Sequence, residues 1–367
     1  MDRCKLLANK LVNYSCKVRK GEKVLIQYSD ADDYFIKCIV NEVFDVGAYP
    51  IVKCVNRRVQ KSILTNGSDE LFKLMEKYDM YMMQDMDAVI IVAGENNVFE
   101  YSSVPDENMS LYRRIYHNHT ELRCSKKWVL LKYPTYGFAQ SSGMGMEEFE
   151  DYFYNVCTLD YDKMCRAMDN LSDLMTKTDK VRIVAKDTDI SFSIKDIPNI
   201  KCCGECNIPD GELYTAPVKN SIEGYITFNI PVLYNGVRHD NIRLEFEKGK
   251  IVKATSSDTD NLNKILDTDD GARYIGEFSF GVNPYITKPI LDILFDEKMC
   301  YSIHMAVGCS YDDAPNGNKS AVHWDLIQSH SDEYGGGEIY FDDVLIRKNG
   351  LFIPTNLVDL NPENLLK

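Results

Sequence analysis

The sequence has no apolar run near ~20 residues, so no membrane-spanning helix is expected. Its opening segment, MDRCKLLANKLVNYSCKV, alternates charged and apolar positions at helical spacing. That segment lacks a continuous apolar core and a small-residue cleavage site, so it does not read as a secretory signal. Surplus positive charge is also missing: 42 Lys and Arg stand against 56 Asp and Glu, a formal net charge of −14. Neutralising phosphates takes Lys and Arg, so neither nucleic acid nor an anionic membrane is an expected partner. The acidity reads first as solubility. No internal repeat or low-complexity tract is visible. GMGM at 143–146 lacks the Lys-Ser/Thr ending of a phosphate loop.

A disulfide pattern is absent too. The twelve cysteines are scattered, and several sit in apolar segments, such as Cys38 in FIKCIV and Cys54 in IVKCVN. Disulfide scaffolds belong to short secreted chains, so reduced, buried thiols in a cytoplasmic protein are expected here. CCGEC at 202–206 holds one C-x-x-C pair, Cys203 and Cys206, with no second pair nearby. A structural zinc takes four ligands, so these cysteines read as buried or incidental.

With 367 residues, there is ample chain for two domains with separate cores. Leu6, Leu7, Leu11 and Val12 form one helical stripe. KGEKVLIQYS reads as a turn and a strand. Residues 32–46 return to helical spacing and stop at Gly47. YPIVKCVN is a second strand, and SDELFKLMEKYDMYMM a helix capped by Ser68. DAVIIVAG, apolar throughout, suits a strand covered on both faces, and KKWVLLKYP is a fourth. Strands alternating with helices argue for a mostly parallel sheet in an α/β layer.

Residues 146–175 read as long helical material, after which the pattern changes. DKVRIVAKDTDISFSI gives two strands and a polar turn. SIEGYITFNIPVL, NIRLEFEKGKIVKAT and GGGEIYFDDVLIRKNGLFI continue as strands, with turns at EKGK and RKNG. ITKPILDILFDEK is the one helix expected among them. The boundary is placed near residue 185. It separates an N-terminal α/β domain, 1–185, from a strand-rich α+β domain, 186–367, that carries the candidate metal site.

HWD at 323–325 places His323 and Asp325 two apart, on the same face of a strand. An imidazole and a carboxylate projecting together make a half-site for a divalent metal. The same half of the chain offers Glu212 in NIPDGELYTAP, Glu277 in IGEFSFGVNP and His304 in SIHMAVG. A dinuclear hydrolytic site needs about five or six ligands, one of them bridging metals ~3.5–4 Å apart. Carboxylates suit the bridge because they offer two oxygens, and imidazoles suit zinc or cobalt. Each residue also has a plainer reading: a solvated glutamate after a turn, or a satisfied histidine in an apolar strand. Spacing alone does not link the four places. HNH at 117–119 has the same i, i+2 spacing but lies in a polar segment and reads as solvated helix or loop.

The words around these residues do link them. In order, NIPDGELYTAPVKNSIEGYITF, GEFSFGVNP, DEKMCYSIHMAVGCSY, NKSAVHWDLI and GEIYFDD resemble the metallo-aminopeptidase family that includes aminopeptidases T and S. The resemblance covers most of residues 180–350 and extends more weakly over LLANKLVNYSCKVRKGEKVLI. It implies two divalent metals per subunit (zinc, cobalt or manganese), with Glu212, Glu277, His304, His323 and Asp325 as ligands. Glu277 is the choice for the bridge. Glu297, in LFDEK, matches a further family carboxylate. Tyr311, after HMAVGCS, matches a tyrosine beside the metals that can hydrogen-bond the oxyanion.

The implied activity is release of N-terminal residues from short peptides. Glu277 or Glu297 would shuttle the proton, in a cytoplasmic homodimer whose active sites face an enclosed space. Two other readings remain open: an amidohydrolase acting on a non-peptide or modified amide, and a non-catalytic binding protein on the same scaffold. Trp324 is expected to point away from the site, into packing.

Overall fold

A computed structural model describes residues 2–234 and 236–367. The chain forms two compact units, Met1–Thr158 with Gly204–Pro209, and Leu159–Cys203 with Asp210–Lys367.

The first unit alternates strands and helices. Helix α1 (Arg3–Asn9) precedes β1 (Lys23–Ser29), and α2 (Asp33–Asp45) leads to β2 (Tyr49–Cys54). The pair α3 (Arg57–Asn66) and α4 (Asp69–Gln84) leads to β3 (Ala88–Ala93). A second pair, α5 (Asp106–Ile115) and α6 (His117–Cys124), leads to β4 (Lys127–Lys132). Helices α7 (Tyr136–Ser141) and α8 (Met146–Cys157) follow. The strand order is β2-β1-β3-β4, with a two-residue strand β8 (Asn207–Ile208) beside β4. Every pairing is parallel. The expected signals operate: the Ser68 hydroxyl accepts from the Leu71 N–H at the start of α4, and Gly47, at φ +81, follows α2. The histidines of HNH lie on α6.

In the second unit α9 (Tyr161–Lys177) buries Tyr161, Met164, Met168, Leu171 and Met175 along one stripe. Strands β5 (Lys180–Ala185), β6 (Thr188–Ser193) and β7 (Ile200–Cys202) follow. After them come β9 (Glu212–Thr215), β10 (Glu223–Phe228), β11 (Val232–Tyr234), β12 (Val237–His239), β13 (Ile242–Glu247) and β14 (Lys250–Thr255). Helix α10 (Thr259–Leu266) precedes β15 (Ile275–Gly281), and the single turn α11 (Ile293–Asp296) precedes β16 (Ser302–Gly308) and β17 (His323–Ser329). Strands β18 (Gly337–Phe341), β19 (Val344–Lys348) and β20 (Leu351–Phe352) and helix α12 (Pro362–Leu365) complete the unit.

Two antiparallel sheets result, β14-β13-β10-β6-β5-β18-β19-β20 and β17-β16-β15-β9-β7, beside the β11-β12 hairpin. An aromatic cluster joins the larger two. Phe278 of β15 meets Phe192 of β6 at 5.0 Å, and Phe280 lies 6.1 Å from Phe341 of β18 and 5.8 Å from Phe352 of β20. Pleating then turns Glu277 and Ser279 to the other face.

The structure differs from the sequence reading in several places. Helix α10 is a second helix among the strands, where one was expected. The division expected near residue 185 falls at the end of β5, which pairs with both β6 and β18. The compact units part earlier, at 158/159, because the apolar stripe of α9 belongs to the second unit. The shift from helices to strands marked a change of element type, whereas packing sets the unit's edge. The helix expected over ITKPILDILFDEK shrinks to α11. Pro289 has no N–H to give, Leu291 takes φ +62, and the Asp296 carboxylate accepts from the Ile290 and Leu291 N–H groups at 2.8 Å each. That carboxylate takes the place of a helical turn.

Candidate metal centre

The site lies on the face of the β17-β16-β15-β9-β7 sheet that faces away from the aromatic cluster. Register places its residues. Ser279 pairs with His304 and Tyr214, Gly281 with Glu212, Ala306 with Asp325, Gly308 with His323, and Glu212 with Cys202. Glu212, Glu277, His304, His323 and Asp325 therefore project from four adjacent strands to one side. A bulge between Ile275 and Glu277 sets the aim of Glu277. Gly276 sits in that bulge, and a Cβ there would lie 2.3 Å from the Cys309 carbonyl oxygen.

Glu277 stands between the two histidines. Its Oε1 is 3.3 Å from His304 Nε2 and its Oε2 is 3.3 Å from His323 Nε2. Glu212 Oε2 is 3.3 Å from the same His304 nitrogen, and Asp325 Oδ1 is 3.5 Å from that of His323. Two triads result, Glu212–Glu277–His304 and Glu277–His323–Asp325, each with its ligand atoms within 4.8 Å of one another. They share only Glu277.

Both rings are fixed from behind. His304 Nδ1 is 2.9 Å from the Glu297 carbonyl oxygen, and His323 Nδ1 is 2.9 Å from that of Cys309. A carbonyl only accepts, so Nδ1 carries the proton in each ring, the arrangement common behind metal-binding imidazoles. In the neutral tautomer each Nε2 lone pair then faces carboxylate oxygens, an acceptor against acceptors. His323 Nε2 and Asp325 Oδ1 are buried and without a hydrogen-bond partner. A cation must occupy such a place, either a second proton on the ring or a metal.

The titration behaviour expresses the same surplus of negative charge. Burial alone would keep the rings neutral. For His304, Glu277 with Glu212 and Asp325 overrides it and pushes the imidazole up to about 10. For His323, Asp325 and Glu277 push it up to about 12. Burial works to raise Asp325, yet the His323 contact holds it down to about 2. Glu212 is raised, burial being the main cause. The residues fit a divalent pair: oxygen and nitrogen donors, a shared carboxylate and two pre-oriented imidazoles.

Glu297 stands in neither triad. Its carboxylate contacts Lys298 Nζ, and its main-chain oxygen is the His304 anchor. Burial pushes its carboxyl up to about 8. The Tyr311 ring lies tilted against His323 at 4.6 Å and 5.4 Å from Tyr214, centre to centre. Burial and then the carboxylates of the site raise its phenol, which stays a donor. Trp324 is buried on the opposite face against Tyr234 and His239, as expected.

Sequence reasoning missed several neighbours. Lys298 is fully buried, with Nζ 3.4 Å from Glu212 Oε1, so it supplies a fixed positive charge behind the first triad. The Tyr214 hydroxyl donates to Asp313 at 2.8 Å. Ser279 donates to Glu212 Oε2 at 3.4 Å. Cys202 of β7 and Asp210, just ahead of β9, group with Glu212. Only Ser279 carried a sequence signal, its i+2 spacing from Glu277. The fold brings in the others.

A family model described as thermophilic metalloprotease (M29) matches residues 2–352. Aminopeptidase AmpS of Bacillus subtilis (strain 168) is 32% identical over 133 residues, 35% of this chain and 32% of AmpS. Aminopeptidase T of Thermus thermophilus is 31% identical over 138 residues, 33% of each chain. The chain thus spans about a third of the length of the curated relatives it matches. Among solved structures, wild-type AmpT from Thermus thermophilus is similar at a TM-score of 0.82 and 19% identity, covering 96% of this chain and 99% of AmpT. The 2,5-dihydroxypyridine dioxygenase of Pseudomonas putida KT2440 is similar at 0.64 and 12% identity, covering 96% and 98%. These two likenesses concern the fold.

Proposed function

We propose a reaction for this chain, which belongs to the thermophilic metalloprotease family (M29): it releases N-terminal residues from short peptides at a pair of divalent metals. The observation that carries the reading is the pair of triads sharing Glu277, with both imidazoles turned to it by main-chain carbonyls. The fold alone carries nothing, since the dioxygenase has it too.

Glu212, Glu277 and His304 would hold one metal, and Glu277, His323 and Asp325 the other, as zinc, cobalt or manganese. When bound, such a pair polarises the peptide carbonyl and lowers the pKa of water. The chain's own groups do the rest. Glu277, or Glu297 beyond it, takes the proton of the attacking water and passes it to the leaving amine nitrogen as the C–N bond breaks. The Tyr311 hydroxyl donates to the carbonyl oxygen as negative charge gathers there. Lys298 keeps Glu212 and Glu297 oriented. The free N-terminus of the peptide is held at the centre, which restricts cleavage to the first residue. We extend the proposal to a homodimer acting in the cytoplasm, supported by the family membership.

The test uses protein reconstituted separately with zinc, cobalt and manganese and offered aminoacyl-arylamides beside N-acyl arylamides. Cleavage of the free-amine series alone, abolished by chelator, is expected. Glu277→Gln should lower kcat/KM at least ~1000-fold, about 4 kcal/mol. Cleavage of the N-acyl series instead would turn the reading to an amidohydrolase of modified amides.

A further inference from the structure

In the first unit the β2-β1-β3 sheet and the helices beside it form a half-open pocket of about 500 Å³. That volume falls within the ~300 to 1,000 Å³ of ligand pockets. Its floor is two rows of one sheet face. Lys53, Gln27 and Ile91 stand side by side across three strands, and Val89 of β3 belongs to the next row. The pocket spans β2, β1 and β3 on one face of the sheet. Helices α4, α5 and α6 wall it, the last contributing His119, one of the HNH histidines that the metal centre does not use.

Its polar groups are unevenly matched. Asp79 is fully engaged: Oδ1 meets Lys53 Nζ at 2.6 Å and Oδ2 accepts from the Tyr116 hydroxyl at 2.9 Å. Arg123 is not. Its guanidinium lies 4.7 Å over the Trp128 ring, Nη2 reaches Cys124 Sγ at 3.3 Å, and Nη1 is buried without a hydrogen-bond partner. Two cations, Lys53 and Arg123, against one carboxylate, Asp79, leave one positive charge and one open donor. A buried donor left unmade costs free energy, and Arg suits carboxylates in particular. Val89, Ile91, Met75 and Met83 contribute apolar surface to the same pocket.

We propose that this cavity, built wholly from first-unit residues, is a second ligand site that takes a small organic carboxylate with an apolar body. The carboxylate pairs with Arg123, with His119 beside it, and the body lies on the Val89–Ile91 floor.

Isothermal titration of the metal-loaded full chain tests this with 3-phenylpropanoate, 3-phenylpropanamide and phenethylamine as probes. The carboxylate should bind saturably, the amide at least ~10-fold more weakly as its charge-assisted hydrogen bond is lost, and the amine not at all. Arg123→Gln should weaken the carboxylate ~10-fold or more. Ile91→Trp, which fills the floor and leaves every charge in place, should remove binding. Equal binding of acid and amide, no binding below ~10 mM, or unchanged affinity in Ile91→Trp would each overturn the proposal. So would unchanged affinity in an Arg123→Gln chain that retains its melting transition.

Discussion

Strand β3 of the first unit reads AVIIVA, and strand β15 of the second reads IGEFSFG; neither has an exposed residue. Around β3 the parallel sheet is layered by helices, so both faces call for apolar side chains. Around β15 the antiparallel sheet gives one face to Phe278 and Phe280 and leaves the other to Glu277 and Ser279. The first arrangement pairs its part-buried charges one against another, as Lys53 with Asp79 and Lys127 with Glu22. The second gathers carboxylates on a single face, with Lys298 as the fixed countercharge. Surplus buried negative charge is tolerated only where something cationic completes it.

Metal removal should break this contrast most visibly. A divalent ion at ~1,000 times its Kd stabilises the state that binds it by about 4 kcal/mol. Chelation should therefore raise amide hydrogen exchange through β15, β16 and β17 and leave β1, β3 and β4 unchanged. Uniform exposure of both units would show that the metal centre does not have its own stability. Lys298→Met comes next. It strands Glu212 and Glu297 without their buried cation and should cost about 3 kcal/mol in the metal-free chain by urea unfolding. A cost near zero would mean that Lys298 is dispensable to the site's charge balance.

Smaller is the pH effect of His330, buried in the second unit with Nε2 on Gln328 Oε1 at 2.8 Å. Burial, with Arg347 adding to it, pushes its imidazole down to about 3. The unfolded chain titrates near ~6.5 and so takes the proton first on acidification. The stability from neutral His330 is complete above ~6.5 and is lost as pH falls toward 3, about 2 kcal/mol of it by pH 5. Urea midpoints at pH 7 and 5, compared with His330→Gln, isolate this share; equal slopes in both chains would contradict it. Smallest is Lys23→Ala in the first unit. Loss of its exposed pair with Asp85 should leave the thermal melting transition essentially where it is. A clear drop would show that charge matters to the first unit as well.

Legibility in the sequence followed the reach of the forces involved. β1 to β4, α2 and α4 could be read because periodicity, Ser68 and Gly47 act within a turn or two. The HWD pair could be read for the same reason, and the ordered motifs joined it to Glu212, Glu277 and His304. Lys298 could not be read: nothing in LFDEK separates a solvated lysine from one at 0% exposure. The shortening of ITKPILDILFDEK depended on Asp296 turning back to Ile290 and Leu291. The approach of Cys202 to Glu212 depended on β7 finding β9. The unit edge at 158/159 depended on which core α9 joined. Each of these is settled by tertiary packing.

The rings of His304 and His323 are held by the peptide oxygens of residues 297 and 309. No side-chain replacement deletes a peptide oxygen. A saturation screen of this protein would therefore score positions 297 and 309 only for what their side chains do. The two contacts that decide which nitrogen faces the carboxylates would leave no mark in such a map. Replacing the peptide link after either residue by an ester, which weakens the carbonyl as an acceptor while keeping every side chain, is the kind of change that would reveal them.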